Sequence, residues 1–430
     1  MSKFYLNNDK IYNILIILFP LTLIIGSAAV NIFLILISIL TIYEIYKRSE
    51  ILKPIKTIFW TFSLFYIFLL ISSFYAENFI EAFRASFSQL RFFLFTIFVY
   101  YFFKPEKYLN LLVKFWTILI VLVSLDTFLQ FFSGIDIFGY KAEGYTSDER
   151  TFLSPFKIMQ NQYVGRLSGP FGDELIVGAF LAKISAPLII YYLGMNKFYN
   201  FKDKIYAFLI LSIIILTILI SGERTSFLII FTCFVIFLLF KDIKKLFIFI
   251  FMITIFIFTI YSSNNFFQNR VNNTLQIIKD IPKSSYGRIY HSSIEVWKKN
   301  KLIGTGLKNY HINCIKLKDP NPNNIHKFCS PNHSHNFILQ ILVETGILGI
   351  IFFYIFMFSL FKSFFKKFVI IKTIKYEYKY FASGSLFMLA YTVFPSIIPS
   401  GSFFTTWNGS FFWLHMGFIL NFFIRTNKNQ

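Results

Sequence analysis

The sequence predicts an all-α, polytopic membrane protein, and three observations carry that prediction. Stretches of about 18–25 apolar residues recur along the chain, long enough to cross a bilayer core of about 30 Å as helices. The composition is 56% hydrophobic, 21% aromatic and 15% charged, with 61 phenylalanines among 430 residues. Soluble domains hold about 45–50% apolar and about 25% charged residues, so much of this apolar surface must face lipid. Mean hydropathy is +0.61. The alternating stretches of about ten residues that build a transmembrane β-barrel do not occur.

About twelve spans follow from the apolar runs, at 11–27, 29–46, 55–74, 86–103, 108–132, 173–194, 204–221, 225–240, 244–262, 336–361, 379–398 and 408–424. The first two form one long run, divided near Gly26 and Ser27. No cleavable signal peptide is expected, because Met1 to Lys10 leads into apolar sequence without a small-residue cleavage site. The formal net charge of +21 would suit nucleic acid if it formed a patch, but it is distributed as a topology signal. Lys47, Arg48, Lys53 and Lys56 lie in one loop, Lys104 and Lys107 in the next of the same side, then Lys197, Lys202 and Lys204. Lys241, Lys244 and Lys245 follow, and then Lys362, Lys366, Lys367, Lys372, Lys375 and Lys379. By the positive-inside rule that side is cytoplasmic, with both termini inside.

This topology places two longer polar segments outside, 133–172 and 263–335. Loops of such length within a compact protein usually carry function. The chain thus divides into 1–262 (nine spans and the 133–172 loop), the large outer loop 263–335 with short helices of its own, and 336–430 with three more spans. Within the large loop, "GRIYHSSIEVWKKN" has a helical pattern that aligns Ile289, Ile294 and Trp297. Cys233 is intramembrane packing, whereas Cys314 and Cys329 share that loop fifteen residues apart. Outside the cytoplasm such a pair oxidises, and a bridge is expected; two free thiols are the alternative. No spacing of Cys and His fits a zinc site, and no metal or cofactor is expected.

"SPNHSHNFILQILVETGILG" places a histidine pair where the large loop meets the tenth span. His335, with an ordinary imidazole pKa, accepts a proton near neutrality. His333 sits two residues upstream, and Asn332, Ser334 or Asn336 suits a helix N-cap. Glu344 lies about two turns into the apolar run, where a carboxylate is costly unless paired or functional. Gly346 and Gly349 suit a close helix contact. In "SGERTSFL", Arg224 is confined to a short outer loop, either as an interface anchor or as a fork for phosphate oxygens. Arg288 follows Gly287 at a helix start, as a surface charge or a second anion clamp, and Arg166 precedes the sixth span. Arg84 and Arg91 lie at the outer end of the fourth. Gly304-Thr305-Gly306 reads as a tight turn rather than a phosphate loop. Arginines beside a base at the outer surface fit an enzyme acting on a phosphorylated lipid.

"HSHNFILQILVETGILG" resembles the motif of the O-antigen ligase and polymerase superfamily: His, a small polar residue, nine residues, then G-x-x-G. "GRIYHSSIEVWKKNKLIGTGLKNY", "SGERTSFL" and "GRLSGPFGDELIVGAFLAK" extend the resemblance. It implies a GT-C type glycosyltransferase of the bacterial inner membrane, its active site facing the periplasm, with undecaprenyl-diphosphate-linked glycan as donor. By the same resemblance His335 is the general base, and Arg224, Arg288 and Arg166 hold the diphosphate. Asn336, His333, Glu344, Gly346 and Gly349 support them. The expected reaction is metal-independent and inverting, onto a lipid A–core hydroxyl as in ligases. A polymerase extending the lipid-linked glycan and a protein O-oligosaccharyltransferase share the motif. A transporter is the reading from a different class, and it would favour charges near the midplane. Lys114, Asp126 and Lys183 are the residues in that position. Membrane lipids are the other partners expected, and no nucleic acid is.

Overall fold

The computed structural model describes residues 2–143, 166–196, 198–263, 265–317, 329–330, 333–368, 375–394 and 399–425. Most of the 133–172 loop, the 318–328 stretch, Asn332, Lys197, Lys372 and the end of the 379–398 span lie outside them. The elements are helices: α1 (Ser2–Ile25), α2 (Ser27–Lys47), α3 (Lys56–Ser73), α4 (Phe79–Ser88), α5 (Leu90–Phe102) and α6 (Pro105–Ser133). After the first loop come α7 (Val177–Met195), α8 (Phe201–Ile220), α9 (Arg224–Lys241) and α10 (Ile243–Ser263). The large loop folds as α11 (Asn265–Lys279), α12 (Ser285–Lys299) and α13 (Tyr310–Ile315). The chain closes with α14 (Phe337–Phe368), α15 (Tyr376–Val393) and α16 (Thr406–Leu420).

Among the described residues, eight helices are long and apolar enough to cross a membrane. Helices α1, α10, α15 and α16 occupy the other positions at which spans were read. Local chemistry sets many boundaries. Gly26, at φ 129°, separates α1 from α2. Asn78, Asn200 and Ser284 cap α4, α8 and α12 by accepting from Glu81, Asp203 and Gly287 backbone N–H groups at 3.1, 2.9 and 3.1 Å. Outward faces stay apolar, as with Ile32, Ile35, Leu36 and Ile39 on α2 and Phe247, Ile248 and Phe251 on α10. Such contiguous apolar surface is stable only against lipid or another protein.

Helix α7 is the most enclosed of the eight, with 83% of its span buried. It packs on α15 where Gly384 meets Pro187: a Cβ at Gly384 would lie 2.4 Å from the Pro187 Cα. Close approach through small residues is the usual basis of helix association in lipid. Across the bundle, α16 lies on α5, and α14 lies on α3.

Two spans depart from the sequence reading. The fourth is interrupted by a turn at Gln89, where amphipathic α4 meets buried α5; together they make up Phe79–Phe102, one of the eight candidates above. The tenth is broken at Gly346 (φ 66°, ψ −170°), so the helix beyond it, 347–368, runs about 33 Å and suffices to cross the bilayer. The broken turn leaves backbone groups without helical partners, and the 301–306 loop supplies them. Thr305 and Gly306 N–H groups donate to the Val343 and Glu344 carbonyls at 3.0 and 2.9 Å. Ile347 and Leu348 N–H groups donate to Lys301 and Leu302 carbonyls at 2.9 and 3.1 Å. Irregular backbone at this depth is tolerated only where protein satisfies it in this way.

A Cβ at Gly346 would lie 2.3 Å from the Leu302 carbonyl oxygen, on a backbone conformation that L residues avoid. Gly346→Ala is therefore expected to destabilise the protein by about 1–3 kcal/mol or more, read as a lower thermal transition in detergent. An unchanged transition would show that the break does not need glycine.

Candidate functional site

The turn into α14 is built by three consecutive residues. Asn336 caps the helix, its Oδ1 accepting from the Leu339 N–H at 3.0 Å. It also shares a side-chain hydrogen bond with Tyr290 of α12. His335 adopts φ 50°, unusual for a non-glycine residue and typical of constrained functional positions. Its carbonyl accepts from the Ser400 N–H at 2.8 Å, fixing it to the segment before α16. His333 returns to the same residue, its Nε2 3.3 Å from the Ser400 carbonyl. A carbonyl only accepts, so that nitrogen carries the proton.

The two imidazoles lie with centroids 4.2 Å apart, and Tyr286 of α12 meets His335 edge-on at 5.9 Å. Burial lowers the pKa of His335 below its ordinary value. Burial first, and then the neighbouring His335, push His333 down to about 4. Both rings are therefore neutral at physiological pH, and no hydrogen bond within the described residues engages the His335 ring.

A cavity of about 580 Å³ opens beside this turn, and His333, His335, Asn336 and Tyr286 line it. The remaining wall comes from the N-terminal parts of α7, α9 and α16 and the C-terminal part of α15, through residues such as Lys183, Ser226, Trp407 and Tyr391. These are the helix ends opposite Lys241 and Lys375, so the cavity sits at the lysine-poor end of the bundle.

One charged group organises its wall. The Glu223 carboxylate accepts from the Gly178 and Ala179 N–H groups at 2.8 and 3.0 Å, capping α7 from outside. It accepts from Ser226 at 3.0 Å and pairs with Arg166 at 3.8 Å. Burial raises its pKa, while Arg166 and those hydrogen bonds oppose the shift. Arg166 also donates to the Leu175 carbonyl and keeps 40% of its side chain accessible.

The structure brings only part of the expected set together. His335, His333, Asn336 and Arg166 line one cavity. Arg224 does not: it is exposed and lines a separate depression with Asp280, Lys283 and Ser284. Arg288 lies a turn along α12 from Ser284 and is not part of the cavity wall. Glu344 is 1% exposed and acts as a tie, accepting from the Lys308 N–H at 3.3 Å and from Gln340 at 3.2 Å. Gln340 in turn donates to Ser402 at 2.8 Å and accepts from the Phe403 N–H at 3.0 Å, which holds the segment that fixes His335. Gly346 is the helix break, while a Cβ at Gly349 would lie 3.1 Å from Phe68 of α3. Gly304-Thr305-Gly306 is the clamp on that break. Cys314 and Cys329 are bonded, with Cα atoms 5.7 Å apart.

The three midplane candidates separate. Lys114 is exposed, Asp126 accepts from the Ile137 N–H at 2.9 Å, and Lys183 faces the cavity. Glu223, Lys183, Tyr286, Trp407 and Asn408 also line the cavity, and none belongs to the set that the motifs single out. Glu223 stands beside Arg224 in "SGERTSFL", and residue type alone does not say which of the two faces inward. Which of two adjacent residues turns inward is set by how α9 docks.

Fold and cavity together define a polytopic membrane protein with a titratable, cation-bearing chamber at one end of its bundle. Residues 207–354 match the family model described as O-antigen ligase, which supports the resemblance to the O-antigen ligase and polymerase superfamily. It indicates ligase- or polymerase-like activity. The matched segment includes Glu223, Arg224, Arg288 and His335, while Arg166, Lys183 and Trp407 lie outside it. No curated protein matches the chain.

Of the three cysteines, Cys233 is the free one. Alkylation of the denatured, unreduced protein is expected to label one thiol and of the reduced protein three. Three labels without reductant would exclude the bridge. Its removal is expected to cost about 3 kcal/mol of stability.

Proposed function

We propose that this chain is a GT-C type glycosyltransferase of the bacterial inner membrane, and that it moves a glycan from undecaprenyl diphosphate to an acceptor hydroxyl on the periplasmic face. The observation that carries the reading is the juxtaposition in one cavity of a neutral, partly accessible His335 and the Arg166 guanidinium. In this reading 1–262 and 336–430 form a bundle of twelve spans, and 263–335 is the periplasmic loop whose α12 leans on the catalytic turn.

The reaction is a single displacement. The acceptor oxygen attacks the anomeric carbon, and its proton passes to His335, which burial keeps unprotonated and so able to accept it. The bond from the anomeric carbon to the phosphate oxygen breaks, and undecaprenyl diphosphate leaves with the electron pair. Arg166 offsets the charge that develops there, as preorganised cations do in a water-poor site. Helix N-termini of α7, α9, α14 and α16 directed at the cavity favour the same anion. Inversion at the anomeric carbon follows from the one-step path. As acceptor we propose lipid A–core, the ligase reaction. Arg224 and Arg288, resembling the family's arginines, are proposed to guide the lipid-linked donor from outside the cavity.

His335→Ala is expected to lower transfer about 100- to 10,000-fold with normal membrane insertion; full activity would remove the base. Because the His335 pKa is depressed, activity should hold as pH falls past the ordinary imidazole value of 6.5 and decline only below it. An acid limb above that value would contradict a buried base. Arg166→Lys is expected to impair transfer more than Arg224→Lys, since only the former alters the cavity; the reverse order would move the diphosphate to the Arg224 depression. Deletion of the gene should abolish core-attached long chains and leave carrier-linked polymer. Single-repeat products would instead mean a polymerase, and unchanged glycans would favour transport.

A further inference from the structure

Helix α7 is the most enclosed span of the bundle, yet Lys183, six residues and about 9 Å along it, keeps accessible surface. That surface belongs to the cavity wall. The Lys183 ammonium donates to the Asn408 side-chain oxygen and lies 4.4 Å from the centroid of the Trp407 ring and 5.3 Å from that of Phe411. None of these is an anion. The carboxylate acting on it from nearby is Glu223, already engaged by two α7 N–H groups, Ser226 and Arg166. An ammonium has three donors, and the one given to Asn408 leaves two without an acceptor among the described residues. When protonated, a lysine held this way against two aromatic rings attracts a multivalent anion more strongly than it would in water, and a bound diphosphate in turn favours the protonated form. Asp173 and Glu174 also line the cavity, but both are exposed at its rim, where water screens them.

We propose that Lys183 is a diphosphate-binding residue of this site: its ammonium takes one phosphate of the lipid-linked donor while Arg166 takes the other. This rests on the donor proposed above and adds the buried half of its binding site. Glu223 is the positioning residue, set between the two cations so that both present to the cavity without spreading apart. A compact, strongly hydrated ammonium suits a group that must be released after reaction, whereas Arg166 supplies the fork.

The test uses the purified full-length protein in nanodiscs, with undecaprenyl diphosphate and undecaprenyl monophosphate as probes and binding read by native mass spectrometry. Wild-type protein is expected to prefer the diphosphate. Lys183→Met should weaken diphosphate binding at least about tenfold while monophosphate binding changes little, and Lys183→Arg should restore most of it. Asn408→Asp keeps the lysine but supplies a competing carboxylate, so it should show the same selective loss if the methionine variant folds poorly. Wild-type diphosphate affinity in folded Lys183→Met or Asn408→Asp protein would overturn the assignment of Lys183 alone. Failure of the wild-type protein to bind either prenyl lipid would overturn the donor reading together with it. Displacement of the diphosphate by excess phosphatidylglycerol would mean that the cation serves ordinary headgroups and would also sink the proposal.

Discussion

The arrangement of the site depends on four backbone hydrogen bonds between the 301–306 loop and the broken turn of α14. Helical backbone freed within an apolar bundle has no water to turn to, and each unsatisfied group would cost several kcal/mol. Because the loop satisfies Val343, Glu344, Ile347 and Leu348, the segment 337–345 can leave the axis of the spanning helix. That departure sets where Asn336 caps, where His335 turns, and which face α12 presents to them. The same hydrogen bonds tie the large loop to the bundle, so loop and membrane helices form one site rather than two parts.

The cavity wall follows a second constraint, the sharing of Glu223. A buried carboxylate is stable only when its oxygens are occupied, and here it engages two α7 N–H groups, Ser226 and Arg166. The result fixes the junction of α7 and α9 and sets one guanidinium beside the cavity. Tyr286 and Tyr290 bring α12 against the histidine turn through a ring contact and a hydrogen bond to Asn336. Each functional group is thus held from an element other than its own, a condition for keeping catalytic geometry within tight limits.

Much of the architecture was legible in the chain. Apolar stretches of bilayer length located the long helices, and Gly26 marked the division between the first two. Fifteen-residue spacing and an outer location suggested the Cys314–Cys329 bond that the structure contains. Asn336 stood where an N-cap belongs. The breaks at Gln89 and Gly346 were not legible, because hydropathy reports how apolar a run is and says nothing of its backbone path. Sequence suggests a close helix contact at Gly346, yet its role is a positive φ that the opposing loop makes possible. The 304–306 stretch reads as a turn, and its partner, α14, lies some forty residues away in sequence.

By itself the sequence determined what local chemistry and composition can determine: a helical membrane protein, its lysine-bearing side, and a histidine at the start of the tenth span. Tertiary structure decided which charges share a cavity. Arg166 and Lys183 meet there from different elements while Arg224, singled out by motif, turns away toward α11. The physical reason is that residue type and spacing fix a side chain's chemistry and its position along a helix. The direction it faces is fixed only when the helices dock, and neither Glu223's choice of α7 nor Arg224's exposure leaves any trace in the string of letters.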